Sequence, residues 1–410
     1  MADGETGTAA PGGPARANSG SGAAAAGGPL SGLLVADFSR VLAGPYATML
    51  LADLGAEVVK VESPQGDETR TWMPPVRDGV STYYLGINRG KRSVALDLRD
   101  EHDVGLAREL ARRADVLIEN FKPGGLARFG LDYDKVRQTN PGLVYTSITG
   151  FGSGKGRQVP GYDLMVQAMS GLMSLTGDAD GPPYRAGISV FDVMAGNHAV
   201  IGILAALRHR DATGEGQLVE INLLSSALTG LVNHSSAYAA GGVVPFRMGN
   251  AHPSVFPYEP LPTADRDLIV GAANDGQFRR LCGVLGIPEI ADDPRFARNA
   301  DRTANREQLR PILLERLATR GASEWFDALV EVGVPCGPIN TIDGGFELAE
   351  RFGLEPVVRV GQGEQAMPTV RHPIRFSATP ARYELPPPRL DEHGAALREW
   401  LAEPNGADRG

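Results

Sequence analysis

From Leu33 onward, short runs of β-branched and other apolar residues alternate with longer amphipathic stretches, and this alternation limits the possible folds more than any other feature. Residues 33–37 predict a strand, and residues 43–54 predict a helix that ends at Gly55. Residues 58–62 predict a second strand, because Val-Val-Lys-Val is rich in β-branched side chains. The unit closes in about thirty residues, as a βαβ crossover does, so a parallel sheet is expected.

The same alternation continues to about residue 149. Strands are predicted at 93–97, 116–120 and 143–149, with a helix at 102–113. Parallel strands joined by helices form doubly wound sheets. The sequence therefore predicts an α/β fold whose large domain is Rossmann-like.

The alternation stops after about residue 225, where glycines and prolines crowd a stretch without helical periodicity. Beyond it, a strand at 267–272 and helices at 276–285, 305–320 and 322–331 are predicted, which indicates a smaller α+β domain inserted in the chain. A last proline-rich stretch contains one predicted helix, at 394–401, that we expect to pack back on the large domain. The predicted divisions are a disordered tail (1–28), the first part of the large domain (29–225), a linker (226–250), the small domain (251–335), a return segment that completes the large domain (336–402) and a second tail (403–410).

Composition excludes several classes of function. The formal net charge of −9 over 410 residues argues against nucleic-acid partners and against an anionic membrane surface. The two cysteines, Cys282 and Cys336, have no metal-ligand spacing, so no metal site is expected. The most apolar run, near 193–207, is interrupted by Asn197 and His198, so no membrane span is expected either. These features favour a soluble, cytoplasmic protein without a permanently bound cofactor.

Familiar catalytic motifs do not fit. The glycine-rich string 150–156 has neither Walker spacing nor the glycines of a dinucleotide fingerprint, and the turn at 39–45 lacks that fingerprint as well. No serine lies in a nucleophile elbow, and the histidines are scattered. Nicotinamide, hydrolase and metal chemistry therefore lack support in the sequence.

Asp192 directly precedes a strongly apolar predicted helix, 193–207. An aspartate in that place is expected to be the N-cap of the helix. Backbone donors and the helix dipole would also keep such a carboxylate ionised, as a carboxylate nucleophile requires. The two interpretations are compatible, and both remain open on the residues alone.

A set of ordered motifs extends from about Leu30 to about Arg398. The motifs lie at 41–45, 51–62, 66–70, 88–93, 119–124, 201–207 and 214–217, together with Asp192. Together they resemble the family III coenzyme A transferases, which include formyl-CoA, carnitine-CoA and succinyl-CoA-dependent enzymes.

The resemblance implies a Rossmann-like large domain, an inserted small domain and a homodimer whose two chains interlock. It implies that Asp192, nine residues before the Ile201-Gly202 pair, is the nucleophile that relays CoA from an acyl-CoA to a carboxylic acid, with the CoA thioester as substrate. Tyr162 and Asp163 match positions near the acyl group. The residues that match the CoA site are Val41, Leu42, Ala43, Asn88, Lys91, Arg92, Asn120, Phe121, Lys122 and Arg128.

The sequence departs from parts of the family pattern. Ser63 stands where several relatives have a CoA-binding arginine, and residues 248–254 lack the glycine run of the formyl-CoA enzymes, which disfavours formyl or oxalyl transfer. The stretches 275–278 and 293–296 resemble the succinyl-CoA-dependent branch. A dicarboxylate acceptor is therefore expected, with its distal carboxylate bound by an arginine, and the candidates are Arg185 and Arg247.

Two other functions remain open. An α-methylacyl-CoA racemase resembles the same family and needs two acid/base groups on opposite faces of the substrate. Racemases have a histidine before the aspartate that corresponds to Asp163, whereas this chain has Tyr162, and tyrosine is a poor base at neutral pH. A non-catalytic acyl-CoA-binding protein would keep the cofactor pocket without needing a nucleophile.

Overall fold

The computed structural model describes residues 27–363 and 366–403. Most of the predicted first tail (1–26) and most of the second (404–410) lie outside these residues. Gly28 belongs to the folded part rather than to the tail, because it is buried so close to Leu54 that a Cβ atom at residue 28 would lie 2.2 Å from the Leu54 carbonyl oxygen. The described part of the chain thus begins two residues before the predicted boundary at residue 29.

Thirteen strands are found in the described part of the chain. They are β1 (Leu34–Asp37), β2 (Glu57–Glu62), β3 (Val76–Arg77), β4 (Val80–Ser81), β5 (Lys91–Ala95), β6 (Val116–Glu119), β7 (Val144–Thr149), β8 (Leu218–Asn222), β9 (Tyr258–Pro262), β10 (Asp267–Gly271), β11 (Cys336–Pro338), β12 (Val357–Val360) and β13 (Met367–Val370).

Fifteen α-helices accompany them within the same residues. They are α1 (Ala43–Asp53), α2 (Thr82–Ile87), α3 (Glu101–Arg113), α4 (Tyr133–Thr139), α5 (Asp163–Met169), α6 (Leu172–Leu175), α7 (Val190–Thr213), α8 (Leu223–Gly230), α9 (Val232–Gly241), α10 (Asp275–Val284), α11 (Asn299–Ala304), α12 (Arg306–Leu317), α13 (Ala322–Glu331), α14 (Ile342–Arg351) and α15 (Gly394–Ala402).

The predicted parallel sheet is confirmed. Six strands lie in the order β5-β2-β1-β6-β7-β8, and every neighbouring pair is parallel. The direction of chain progression reverses between β1 and β6. In open parallel sheets the loops that follow two such strands diverge and leave a crevice outside their carboxyl ends. The fold therefore places a candidate ligand site after β1 and β6.

Helices cover both faces of the sheet. On one face, α1, α7 and α8 enclose a core that includes Val35, Leu51 and Ile203. On the other face, α3, α4 and α15 enclose a second core that includes Leu110 and Leu397. The sheet is thus the middle layer of three, and its apolar strands are buried on both sides, as parallel sheets require.

By length and composition alone, α7 is the one helix in the described residues that is long and apolar enough to cross a membrane. It packs against α1, α8, β7 and β8, and residues such as Ala195 and Ile203 are fully buried there. The apolar residues on one side of α7 are therefore those of a helix packed in a protein core. Its other side bears exposed apolar residues, among them Ile201.

The small unit consists of a three-stranded antiparallel sheet, ordered β11-β10-β9, that packs with α10, α12 and α13 around its own core. β11 begins at Cys336, one residue after the predicted end of the small domain, because its pairing with β10 completes the sheet. The predicted linker 226–250 is helical over its first part, where α8 packs on α7, and residues 242–257 contain neither helix nor strand.

The last segment lies along the outer edge of β5. The backbone N–H of Ala95 donates to the Asp391 carboxylate at 2.8 Å, and the Arg398 guanidinium donates to the Ala95 carbonyl at 2.6 Å. The His393 N–H donates to the Ser93 carbonyl at 3.1 Å. α15 packs on α3 and β5 directly beyond these contacts. Residues near the end of the described chain therefore cover the edge of a sheet whose strands come from the first half of the sequence.

Candidate active site

A cavity of about 170 Å³ lies at the carboxyl ends of β1, β6 and β7, where the strand order reverses. Three chain segments form most of its wall, namely the loop after β1, the loop after β6 and the stretch between β7 and α5. Its lining includes the side chains of Arg40, Val41, Leu42, Ala43, Glu68, Asn120, Phe121, Lys122, Arg157, Tyr162 and Asp192.

Asn120 ties the two strand-end loops together. Its Oδ1 accepts from the Arg40 N–H at 2.9 Å, and its Nδ2 donates to the Arg40 carbonyl at 2.7 Å. The backbone N–H and the backbone carbonyl of Arg40 are therefore both bonded to the side chain of Asn120, on the other side of the crevice. This pairing fixes the spacing of the loops that line the cavity.

Val41 has an unusual backbone conformation. Its φ of 69° lies in the left-handed region, which is unfavourable for a β-branched residue. Its N–H points to the Asp67 carboxylate, at 3.4 Å from Oδ1 and 3.3 Å from Oδ2. Strained conformations of this kind are kept only where surrounding structure enforces them, and they cluster at functional sites.

A network of buried charges supports the loop from below. The ammonium group of Lys60 donates to Asp67 at 3.0 Å and to the Ser39 carbonyl at 3.0 Å. The ammonium group of Lys91 lies 3.1 Å from Asp37 Oδ2, and both side chains are fully buried. Burial lowers the pKa of Lys91 to about 8. Paired in this way, the buried charges act as a rigid base for the loop rather than as ligands.

Asp192 is the third residue of α7, not its N-cap. The helix begins at Val190 with Ser189 as N-cap, and the side chain of Ser189 makes no capping hydrogen bond. The expected capping role of Asp192 is therefore wrong, because the helix starts three residues earlier than the apolar run suggests. Its carboxylate is free to face the cavity.

Asp163 caps α7 in place of any residue of that helix. Its Oδ1 accepts from the Phe191 N–H at 2.8 Å and from the Asp192 N–H at 3.2 Å. The carboxylate of Asp163 thus occupies the donors that Asp192 was expected to use. As Asp163 is the first residue of α5, the contact also joins the two helices.

The Asp192 carboxylate has an unusual environment. Burial, followed by the nearby charge of Asp163, raises the pKa of Asp192 to about 7. Within residues 27–363 and 366–403, no group donates a hydrogen bond to this carboxylate. Tyr83 lies nearby, and its pKa rises to about 12 through burial and the charge of Asp192. A half-buried carboxylate without a hydrogen-bond donor is a stronger nucleophile, once ionised, than a fully solvated one.

Many residues predicted for the site lie together. Val41, Leu42, Ala43, Asn120, Phe121, Lys122, Tyr162 and Asp192 all line the cavity, and Asp163 lies directly behind Asp192.

Other predicted residues lie elsewhere. Asn88 and Lys91 are fully buried and bonded to each other. Arg92 pairs with Glu57 beside a different depression of the surface, and Arg128 stacks on Phe129.

The two candidate arginines for the acceptor do not line the cavity either. Arg247 donates to the carbonyls of Asp178 and Gly181, at 3.3 and 3.0 Å, and Arg185 is exposed beside Ala186. Two arginines outside the predicted site, Arg40 and Arg157, do line it. Arg40 follows the predicted strand 33–37, and residues just after parallel strands often bind ligands, so its sequence position indicates a place in the site. No comparable sequence feature marks Arg157, which follows the glycine-rich stretch.

A metal centre is not apparent, since the described residues contain no group of three or more histidine, cysteine, aspartate or glutamate side chains placed to hold an ion.

Comparison with known proteins gives a consistent result. The model of CoA-transferase family III matches residues 30–394. A succinate–glutarate CoA-transferase of Agrobacterium fabrum is 46% identical over 379 residues, covering 90% of this chain and 94% of that protein. An acetyl-CoA:oxalate CoA-transferase of Acetobacter aceti is 40% identical, covering 92% of this chain and 97% of that protein. A solved CaiB/BaiF family protein from Brucella suis is 43% identical with a TM-score of 0.82, covering 92% of this chain and 100% of the other.

The match spans both the large and the small units and includes every segment that lines the cavity. The Asp192 region, the loop after β1 and the loop after β6 all fall inside it. On this extent of similarity, the chain belongs to family III of the CoA-transferases.

Proposed function

We propose that this CoA-transferase uses the Asp192 carboxylate as a covalent relay and transfers CoA from a succinyl-CoA-type donor to a dicarboxylic acid. One observation carries the proposal. Asp192 lies in the cavity at the strand-order reversal, half-buried and without a hydrogen-bond donor among the described residues. Such a group gains more from covalent reaction than a well solvated carboxylate does.

The first half-reaction consumes the donor. An Asp192 oxygen attacks the thioester carbonyl of the acyl-CoA, the C–S bond breaks, and CoA leaves as thiolate. The thiolate then attacks the aspartyl carbonyl of the mixed anhydride. The anhydride C–O bond breaks, the donor acid leaves as a carboxylate, and an aspartyl-CoA thioester remains.

The second half-reaction reverses these steps. The acceptor carboxylate attacks the aspartyl-CoA carbonyl and releases the thiolate, which then attacks the acceptor carbonyl of the new anhydride. The acceptor acyl-CoA leaves and Asp192 returns to the carboxylate form. No net proton is gained or lost, so the reaction needs a nucleophile and water exclusion rather than a general base.

Local positive charge supports CoA as the ligand. The chain carries a formal net charge of −9, yet Arg40 and Lys122 both line the cavity, where Glu68 is an opposing charge. Phosphate groups are bound by such local clusters even on acidic proteins. The ring of Phe121, with the Arg40 guanidinium 5.9 Å from its centroid, offers an apolar surface beside them.

The acceptor is proposed to be a dicarboxylate. Succinate and glutarate, which appear in the name of the Agrobacterium fabrum relative above, are both dicarboxylic acids. Since Arg185 and Arg247 point elsewhere, we assign the distal carboxylate to Arg157, whose planar guanidinium suits bidentate binding.

We also propose the Rossmann-like description of the large domain, an interlocked homodimer and a cytoplasmic location. The strand order supports the first, because the sheet strands taken in chain order lie as 3-2-1-4-5-6. Exposed apolar side chains support the second. Ile201, Val232 and Phe246 are 63%, 66% and 70% exposed, and α9 has no buried residue in the single chain. Large apolar patches of this kind mark association surfaces.

The test is direct detection of transfer and of its covalent intermediate. The protein is incubated with a panel of acyl-CoA donors and carboxylic acids, and new thioesters are identified by mass spectrometry. Incubation with donor alone, followed by digestion, is expected to give CoA attached to the peptide that contains Asp192.

Asp192→Asn is expected to abolish both products. Asp211→Asn provides the matched control, because it makes the same change at an exposed position of the same helix. Substantial transfer by Asp192→Asn, or an adduct on another residue, would remove the nucleophile assignment.

A further inference from the structure

Gln167 is a fully buried polar residue on α5 that the proposed chemistry does not use. It lies four residues after Asp163 and therefore on the same face of the helix. Its amide nitrogen donates to Asp163 Oδ2 at 2.5 Å and to the Ile188 carbonyl at 3.1 Å. Its amide oxygen accepts from the Ala186 N–H at 2.8 Å. Two of these hydrogen bonds join α5 to the segment that leads into α7, and the third, to Asp163, lies within α5.

The other oxygen of Asp163 is engaged at the first turn of α7. Oδ1 accepts from the N–H groups of Phe191 and Asp192, while Oδ2 is held by Gln167. The amide of Gln167 therefore determines which way the Asp163 carboxylate faces. It also fixes the chain at residues 186 and 188, immediately before Ser189 begins the helix.

We propose that Gln167 is a positioning residue, which holds the Asp163 carboxylate over the first turn of α7 so that Asp163, and not Asp192, accepts the backbone hydrogen bonds of that turn. The proposal rests on Asp192 being the nucleophile. Gln167 acts through Asp163 and touches no reacting atom.

The chemical consequence concerns how well Asp192 is stabilised before reaction. A carboxylate that accepts backbone N–H bonds at a helix start is stabilised in its ionised form and is less reactive. With Asp163 in place, these donors are occupied and a second negative charge lies beside the nucleophile. Without Gln167, Oδ2 of Asp163 loses its donor, and the carboxylate is held by its two backbone hydrogen bonds alone. A carboxylate held less firmly turns away more often, and the backbone donors then become available to Asp192.

Other groups around Asp192 do not replace this control. The charge of Asp192 interacts with Asp163 on α5 and with Tyr83 on α2. The other charged and titratable residues that line the same cavity are Arg40, Glu68, Lys122, Arg157 and Tyr162. Among these, Asp163 is the one that both bonds to the Asp192 backbone and shifts the ionisation of its side chain.

The experiment measures kcat and kcat/KM from pH 5 to pH 9 for wild-type protein and Gln167→Met, which keeps the length of the side chain but lacks the amide. The acid limb of kcat/KM is expected to move down by about one pH unit, because Asp192 gains backbone donors. At pH 8, kcat is expected to fall roughly tenfold, with a much smaller change in the KM for acyl-CoA, since the ionised nucleophile is better stabilised.

Val166→Ala is the matched control. It lies on the same helix, is fully buried, and is expected to destabilise the core without removing a hydrogen bond to Asp163. Its pH profile is expected to coincide with that of wild type. If the acid limb of folded Gln167→Met also coincides with wild type, Gln167 is only structural and the proposal is wrong.

Gln167→Glu keeps the proposal testable if Gln167→Met does not fold. A protonated glutamic acid donates to Asp163 as the amide does, whereas an ionised one repels it. The variant is therefore expected to lose kcat as pH rises, a limb that wild type lacks, and a wild-type profile for this variant would also refute the proposal. Absence of CoA transfer by the wild-type protein would instead refute the proposed function, so the two failures are distinguishable.

Discussion

Replacing Asp192 by asparagine should make the folded protein more stable at neutral and alkaline pH while removing its activity. Folding raises the pKa of Asp192 from 3.8 to about 7, chiefly through burial and then through Asp163. Between these values the unfolded chain has released the proton and the folded chain retains it, so wild-type stability falls as pH rises. Asparagine does not ionise, so Asp192→Asn lacks this dependence of stability on pH.

The size of the effect follows from the shift. At about 1.4 kcal/mol per pH unit, the full difference reaches roughly 4 kcal/mol above pH 7 and disappears below about pH 4. Loss of a negative charge in the first turn of α7 opposes it by about 0.5 kcal/mol at all pH values at which Asp192 is ionised. Between pH 5 and pH 8, the advantage of Asp192→Asn should therefore grow by roughly 2 to 3 kcal/mol.

Chemical denaturation of both proteins at equal concentration, at several pH values in that range, measures the difference directly. Comparing variants at each pH removes the contributions of all other groups. Asp211→Asn, exposed near the other end of the helix, should give a difference that does not change with pH. Parallel stability curves for wild type and Asp192→Asn would show that Asp192 ionises normally, and the account of its reactivity would be wrong.

Three further outcomes are expected. Asp67→Asn should raise the KM for acyl-CoA several-fold by loosening the loop at Val41, and the loss should be smaller in a Val41→Gly background, where a positive φ costs little; equal losses in both backgrounds would contradict this. Arg157→Met should raise the acceptor KM for glutarate far more than for a monocarboxylate of equal length, and similar increases for both acids would exclude a role in binding the second charge. Sedimentation should find a dimer at nanomolar protein, whereas an active monomer would refute the interlocked assembly.

Local patterns predicted most of the central sheet. The β-branched runs at β1, β2, β6 and β7 gave strand positions within about a residue, because strands buried on both faces are continuous apolar segments. β5 was predicted two residues too late, at 93–97 instead of Lys91–Ala95. The strand begins at Lys91, whose charged group is fully buried against Asp37. The partner lies 54 residues away and is invisible to a local pattern.

The site was predictable to a similar degree and for a similar reason. Asp192 was found as a residue, but its relation to the helix was not. Its environment depends on Asp163, which lies on another helix, 29 residues earlier in the chain. The acceptor arginines were chosen by closeness in sequence, and neither Arg185 nor Arg247 reaches the cavity. Resemblance to a family therefore predicts which residues belong to a site better than it predicts where their side chains point.

The contacts along β5 bear on how the protein is made. β5 is an edge strand, and an uncovered edge is a template for pairing with another chain. The segment that covers this edge is synthesised late, because the partner of Ala95, Asp391, lies 296 residues further along the chain. Throughout most of synthesis on the ribosome, the nascent sheet therefore exposes unpaired backbone groups, and release of the last segment closes them. Chains truncated before this segment are expected to aggregate even though all residues of the cavity are present.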